Sequence, residues 1–247
     1  MNAASRFLVA LALLGTVIAV ISVRSKPRTQ SALSSQNLPA EGRLLQSVQQ
    51  AKAEGKKKVY QLPPTVEYVG GATTNTLDSL APGHGIVIAE PISINIAHSR
   101  GDTIVTWYKF RVVETLAAQS KPECYTCSSI SLPPEFQELK EDEFVIGQYG
   151  GSLTIDDIEV AVGYEYPPFQ IGKRYILVIS KEASSGKASL IGGSAGAFNL
   201  TDSGVITSID ESNVYTEKAI KDTYNNSLEN LRAKLKAKNP SSLQDKK

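Results

Sequence analysis

The sequence predicts a mainly β protein: a single antiparallel barrel or sandwich, preceded by an apolar N-terminal helix and followed by an amphipathic C-terminal helix. Three observations support this fold class. Apolar and polar residues alternate along the middle of the chain, Gly, Pro and Asp interrupt the alternating runs, and no run of helical period lies between them. Parallel strands would need connecting helices of about a dozen residues, so antiparallel pairing is expected.

The first element is an uncharged apolar run from Phe7 to Val23. Its length is at the lower limit for crossing a bilayer and exceeds that of most signal-peptide cores. Residues 1–23 are therefore expected to be a signal anchor that binds the membrane, with a cleaved signal peptide as the alternative. Basic residues are more frequent after the run than before it, which favours a cytoplasmic body. A short N-terminal run before a β-rich body is more typical of export, so an extracytoplasmic body is preferred.

Residues 24–58 are expected to form a flexible tether and a short helix. The stretch up to residue 40 is rich in Ser, Gln and Pro and has few large apolar side chains, which is typical of a flexible segment. Leu44, Leu45 and Val48 then fall on one side of a helical pattern, which predicts a short helix.

Residues 59–212 form the predicted β-domain. In "TIVTWYKFRVVETL", Ile104, Tyr108, Phe110 and Val112 share one face, while Lys109 points the other way, which predicts a half-buried strand. The preceding run "IVIAEPISINIA" is its expected hairpin partner. Further short strands follow at close spacing, each bounded by turn residues.

Residues 213–247 are predicted to be a C-terminal helix and tail. Thr216 is the expected N-cap, and Asn239-Pro240 ends the helix. An apolar stripe at spacings of three and four is expected to pack on the β-domain, with docking of a partner as the less favoured alternative. The stripe consists of Ile220, Tyr224, Leu228, Leu231 and Leu235.

The stretch "IGGSAGAF" contains the G-x-S-x-G pattern of a hydrolase nucleophile elbow. An elbow needs a strand before the serine and a helix after it, with the catalytic histidine later in the chain. Here another strand follows Ser194, and both histidines, His84 and His98, precede it. Gly192, Gly193, Ser194 and Gly196 are therefore interpreted as a structural turn, and no catalytic residue is assigned.

The second candidate for chemistry is the C-x-x-C pair Cys124 and Cys127. Such a pair can form a small disulfide, act in redox exchange, or supply half of a zinc site. Pro133 and Pro134 prevent the helix that a thioredoxin-type pair requires, and only His84 and His98 remain as further zinc ligands. For an exported domain a structural disulfide is the default expectation, followed by free thiols, and no metal or cofactor is expected.

A resemblance to a group of uncharacterised exported bacterial proteins rests on four segments in order: "TWYKFRVVETL", "EFVIGQYGG", "YPPFQIGKRYILVIS" and "LIGGSAGAFNL". The similarity covers residues 76–207, and its motifs are structural. The resemblance implies a small antiparallel barrel, for which an OB-like form is one possibility, and it implies no activity.

Charge and motifs together favour a binding function. The formal net charge is +1, without the clustered basic face of a nucleic-acid binder, so no nucleic acid partner is expected. The chain is expected to be a non-enzymatic binding or scaffolding module of the cell envelope, with an envelope protein or another ligand as its partner. The alternative is an envelope enzyme, either a hydrolase acting through Ser194 or a thiol redox protein acting through Cys124 and Cys127.

Overall fold

The computed structural model describes residues 42–62, 77, 83–99, 103–120, 132–182 and 185–238, all within one compact unit that spans residues 38–247. The elements are α1 (Arg43–Ala53), β1 (Lys58–Gln61), β2 (Gly85–Ser99), β3 (Thr103–Ala117), β4 (Glu143–Tyr149), β5 (Gly151–Ile155), β6 (Ile158–Val162), β7 (Arg174–Lys181), β8 (Ala188–Leu190), β9 (Ala197–Leu200), β10 (Ile206–Ser208), α2 (Val214–Tyr224) and α3 (Leu228–Lys238). The predicted mainly β class is confirmed.

A seven-stranded sheet forms the body of the protein. Its order is β10-β9-β7-β2-β3-β4, β8 also pairs with β7, and every ladder is antiparallel as predicted. The prediction of a strand buried on one face only is correct for the C-terminal part of β3. Nearer its start, Val105 and Trp107 are buried as well, because Leu132 and Phe136 pack over that second face.

Within the described residues the sheet does not close into a barrel, so the barrel alternative is wrong in its closed form. The two edges that would have to join meet at one isolated parallel bridge, between Val145 of β4 and Lys187. A turn precedes β8, in which the Glu182 N–H donates to the Lys187 carbonyl at 2.8 Å, and β8 begins only at Ala188. One residue pair is too short for a ladder. The sandwich alternative stays a prediction.

A second, three-stranded sheet has the order β1-β6-β5. Its β1–β6 pair is parallel, unlike the predicted strands, because β1 and β6 are far apart in the chain and need no direct crossover helix. α1 packs on this sheet, where Leu44 and Val48 are buried together with Ile158 and Val160. Leu45, predicted to share that apolar side, is 43% exposed.

The main core lies on one face of the large sheet and is rich in aromatic rings. Phe169, from the loop between β6 and β7, lies 5.0–5.1 Å from the ring centroids of Tyr108, Phe110 and Tyr175, each in an edge-to-face arrangement. Phe144 of β4 stacks on Phe110 at 5.2 Å. Phe169 therefore packs against inward side chains of two strands, β3 and β7, and Phe144 adds a third strand through its contact with Phe110.

The C-terminal segment forms two helices where one was predicted. Asn225 and Asn226 adopt left-handed backbone conformations, with φ of 51° and 55°, and this ends α2. Asn213 caps α2 by accepting a hydrogen bond from the Thr216 N–H at 3.1 Å, so the predicted cap at Thr216 is wrong by three residues. The predicted packing of the stripe is confirmed, since four members are buried and Leu228 is partly buried against the sheet. The buried four are Ile220, Tyr224, Leu231 and Leu235.

In the part of the chain that the structure describes, no helix has the length and apolar character needed to cross a membrane. The run from Phe7 to Val23 lies outside the described residues, so its role as an anchor stays a prediction.

Candidate functional site

A cavity of about 500 Å³ lies at one end of the large sheet and is here called the end cavity. The start of β2, the end of β3, the start of β4 and the end of β7 meet there. Its floor is apolar and belongs to the main core: Val87, Val112, Phe144 and Ile179. Its rim is mostly polar: Thr115, Gln119, Glu141, Asp142 and Lys181.

Irregular pairing of β2 with β3 shapes this end of the sheet. The register shifts between Ile86 and Val87 and again between Ile88 and Ala89. Such bulges bend a strand and redirect its side chains. Val87, which lies between the two shifts, contributes its side chain to the floor of the end cavity.

Gln119 fixes the rim by pairing with the backbone of β7. The Lys181 N–H donates to Gln119 Oε1 at 2.7 Å, and Gln119 Nε2 donates to the Lys181 carbonyl at 3.1 Å. The side-chain amide thus takes the place of a neighbouring strand residue at the end of β7. This reciprocal pair holds the segment after β3 beside the cavity.

Lys181 connects β7 to the start of β4. Its Nζ donates to the backbone carbonyl of Glu143 at 2.9 Å and more weakly to that of Glu141 at 3.4 Å. The ammonium is therefore directed at the wall of the cavity, and its charge is partly neutralised by carbonyl dipoles.

The carboxylate of Glu143 organises the turn that carries Glu141 and Asp142. Its side chain is 5% exposed, and it lies 3.0 Å from Lys109 Nζ and accepts the Lys140 N–H at 3.1 Å. Burial acts to raise the pKa of Glu143, but the Lys140 N–H and the charge of Lys109 outweigh it, so the pKa is lowered overall.

The lowered pKa of Glu143 predicts a pH-dependent contribution to stability. Because the pKa of Glu143 is lower in the folded than in the unfolded state, its ionised carboxylate stabilises the fold above about pH 4.3. This stabilisation is lost as the pH falls through the folded-state pKa. Glu143→Gln is expected to reduce the free energy of unfolding by about 1 kcal/mol at pH 7 and by much less at pH 3. Urea unfolding at the two pH values measures this.

Glu138→Gln is the matched control, because Glu138 is an exposed carboxylate close to the same turn. Its effect on the free energy of unfolding is expected to stay below about 0.5 kcal/mol at both pH values. A Glu143→Gln effect that is the same at pH 3 and pH 7 would contradict the assigned role of this carboxylate.

The polar side chains of the rim differ in how they are engaged. Glu141, Asp142 and Thr115 are exposed at the opening of the cavity. The amide of Gln119 and the ammonium of Lys181 already bond to backbone groups. Chemically, the end cavity offers an apolar surface for a hydrocarbon group, with two carboxylates and a hydroxyl at its opening.

The last four G-x-S-x-G residues form a short 3-10 helix, Gly193–Gly196, between β8 and β9, and Gly192 is its N-cap. Gly192 and Gly193 have φ of 78° and 56°, which favours glycine at both positions. The strand after Ser194 pairs antiparallel with β7. These residues do not line the end cavity.

The remaining sequence candidates are not brought together by the described residues. His84 directly precedes β2, and His98 lies within β2, opposite Ile104. Cys124 and Cys127 lie outside the described residues, so the disulfide stays a prediction. Among the residues that the structure describes, no group of three or more His, Cys, Asp or Glu side chains could hold a metal ion.

Sequence reasoning missed every polar residue of the end cavity. Gln119 follows β3, Glu141 precedes β4 and Lys181 ends β7, and each is an ordinary surface residue type without a local motif. The available signals were the apolar alternation of β2 and β3 and the continuous apolar run of β7, which predict the floor.

Comparison of the chain with protein-family models, with curated proteins and with solved structures gives no match.

Proposed function

We propose that the β-domain is a non-enzymatic binding module, tethered to a membrane by the segment from Phe7 to Val23 and facing the extracytoplasmic side. The observation that carries this proposal is the end cavity, which has an apolar floor and a polar rim at one end of a well-packed sheet. Ligand sites are typically concave and mostly apolar, with a few polar groups that orient the ligand.

We also propose a partly open, OB-like arrangement for the body, as the resemblance to exported bacterial proteins implies. The meander β2-β3-β4, the return of β7 onto β2 and the pairing of β8 with β7 support it. The parallel bridge from Val145 to Lys187 lies where β8 would meet β4 in such an arrangement. OB-like domains bind ligands at the strands and loops of a partly open barrel.

The alternative of a hydrolase acting through Ser194 has less support. A nucleophile elbow places its serine between a parallel strand and a helix, whereas Ser194 lies between two strands that both pair antiparallel with β7. A redox function through Cys124 and Cys127 has no support within the described part of the chain.

Filling the cavity tests the binding proposal. Val112 lines the floor, and its neighbour Val113 is 50% exposed and lies outside the cavity. Val112→Trp is expected to reduce binding of the neutral apolar fluorophore N-phenylnaphthylamine at least tenfold, because the indole occupies the ligand's space. Val113→Trp is expected to leave binding within about twofold of the parent.

The measurement is a fluorescence titration of full-length protein in phosphatidylcholine nanodiscs, with empty nanodiscs as the blank. All three proteins share the same N-terminal segment, so fluorophore bound there cancels in the comparison. Melting temperatures of the variants show that the fold is retained. Non-saturable binding by the parent, or equal binding by the three proteins, would refute the proposed site.

The membrane tether has its own test. After fractionation of expressing cells, the full-length chain is expected in the membrane pellet, and a chain that begins at residue 38 is expected in the soluble fraction. The physical reason is the uncharged run of apolar residues, whose transfer into lipid is favourable. Full-length protein found entirely in the soluble fraction would end the proposal of a tether.

A further inference from the structure

We propose that the end cavity prefers amphiphiles with a cationic head group, of which an aliphatic ammonium compound is the simplest example. This inference rests on the proposed function, because it specifies the ligand class of the same cavity. Two observations support it: the floor of the cavity is apolar, and the rim has more carboxylates than cations.

The floor fits a hydrocarbon chain. Val112 is the partly buried member of the floor, whereas Val87 and Ile179 are 6% and 4% exposed and Phe144 is fully buried, so a chain would rest mainly on Val112. An alkyl chain that packs on this floor loses contact with water on the side that faces the protein. Each methylene that becomes fully buried strengthens binding by up to about fourfold.

The rim carries an excess of negative charge. Glu141 and Asp142, which are both exposed, are lining residues, and Lys181 is the one cationic residue among the described lining residues. A third nearby carboxylate, that of Glu143, is paired with Lys109 and does not line the cavity. A positive head group at the opening would be attracted by Glu141 and Asp142 together.

Lys181 is poorly placed to favour an anionic ligand. Its Nζ donates to the carbonyl oxygens of Glu143 and Glu141, which directs its hydrogens at the protein. The guanidinium of Arg111, whose charge also acts on Asp142, is paired with Glu90. An anionic head group would therefore meet two carboxylates with little compensating charge.

The experiment compares three eight-carbon ligands that differ only in head group: octylamine, octanol and octanoate. Each displaces N-phenylnaphthylamine from full-length protein in phosphatidylcholine nanodiscs at neutral pH. Octylamine is expected to displace the fluorophore at the lowest concentration, and octanoate at the highest. In Glu141→Gln/Asp142→Asn, the advantage of octylamine over octanol is expected to fall roughly fivefold, as for the loss of two exposed ion pairs.

A second double variant, Glu135→Gln/Glu138→Gln, removes the same charge from exposed residues that do not line the cavity. It is expected to keep the preference of the parent, which separates a local effect from a change in net charge. Equal or stronger displacement by octanoate, or an unchanged preference in Glu141→Gln/Asp142→Asn, overturns the cationic selectivity while the cavity remains a ligand site. Absence of saturable fluorophore binding by the parent overturns both proposals.

Discussion

Gly196→Ala is expected to lower the free energy of unfolding by about 3 kcal/mol, through forced overpacking. A Cβ built on Gly196 would overlap the backbone carbonyl oxygen of Ile191. The obstacle is main chain, so no side-chain rotation relieves it, and the whole turn between β8 and β9 has to move. The backbone of Gly196 is not left-handed, so close approach alone requires glycine here.

Ser194→Ala is the matched control in the same turn. Ser194 contributes its backbone carbonyl to the 3-10 helix, and this group is retained in alanine. Removing the hydroxyl is expected to change the free energy of unfolding by at most about 1 kcal/mol. Thermal unfolding followed by circular dichroism compares the variants. A Gly196→Ala protein that melts with the parent would show that the turn can relax, contrary to the packing described above.

The second large effect is expected at Phe169. Phe169→Ala should reduce the free energy of unfolding by about 3–5 kcal/mol, the range for a fully buried phenylalanine. The ring is 2% exposed and makes edge-to-face contacts with Tyr108, Phe110 and Tyr175, so its loss leaves a cavity at the centre of the main core. In Phe169→Leu the leucine fills part of that volume, so the free energy of unfolding is expected to fall by about half as much.

Ile171 gives the control for Phe169, because it lies in the same loop and is 60% exposed. Ile171→Ala is expected to change the free energy of unfolding by less than about 0.5 kcal/mol. Chemical denaturation at neutral pH measures all three variants. If Phe169→Ala and Ile171→Ala unfold at the same denaturant concentration, Phe169 does not have the central position described here.

Much of the fold could be predicted from the sequence, because strand alternation is a local property. The inward face of the C-terminal part of β3 and the buried stripe of the C-terminal helices follow from the period of the apolar residues. The left-handed Asn225 and Asn226 could not be read from that period, since the stripe continues through them. Within the described residues β4 and β8 share no ladder and the nearest pairing is the bridge between Val145 and Lys187, which no local pattern specifies.

The candidate site was less predictable than the fold. Its floor consists of core residues such as Val87 and Phe144, which sequence reasoning assigns to packing alone. Its rim depends on contacts across large sequence distances, such as the pairing of Gln119 with Lys181 and of Lys109 with Glu143. The G-x-S-x-G motif around Ser194 instead forms a turn, in which backbone conformation and close packing require glycine.

The most direct test of the end cavity as a ligand site is photo-crosslinking with a diazirine-bearing alkyl probe, followed by peptide mass spectrometry of the full-length protein in nanodiscs. Cross-links are expected on the peptides that contain Val87, Val112 and Phe144. They should be lost with excess octanol and in Val112→Trp, and retained in Val113→Trp. Labelling confined to the segment from Phe7 to Val23, or labelling of the β-domain that Val112→Trp does not change, would contradict the assignment of this cavity as the binding site.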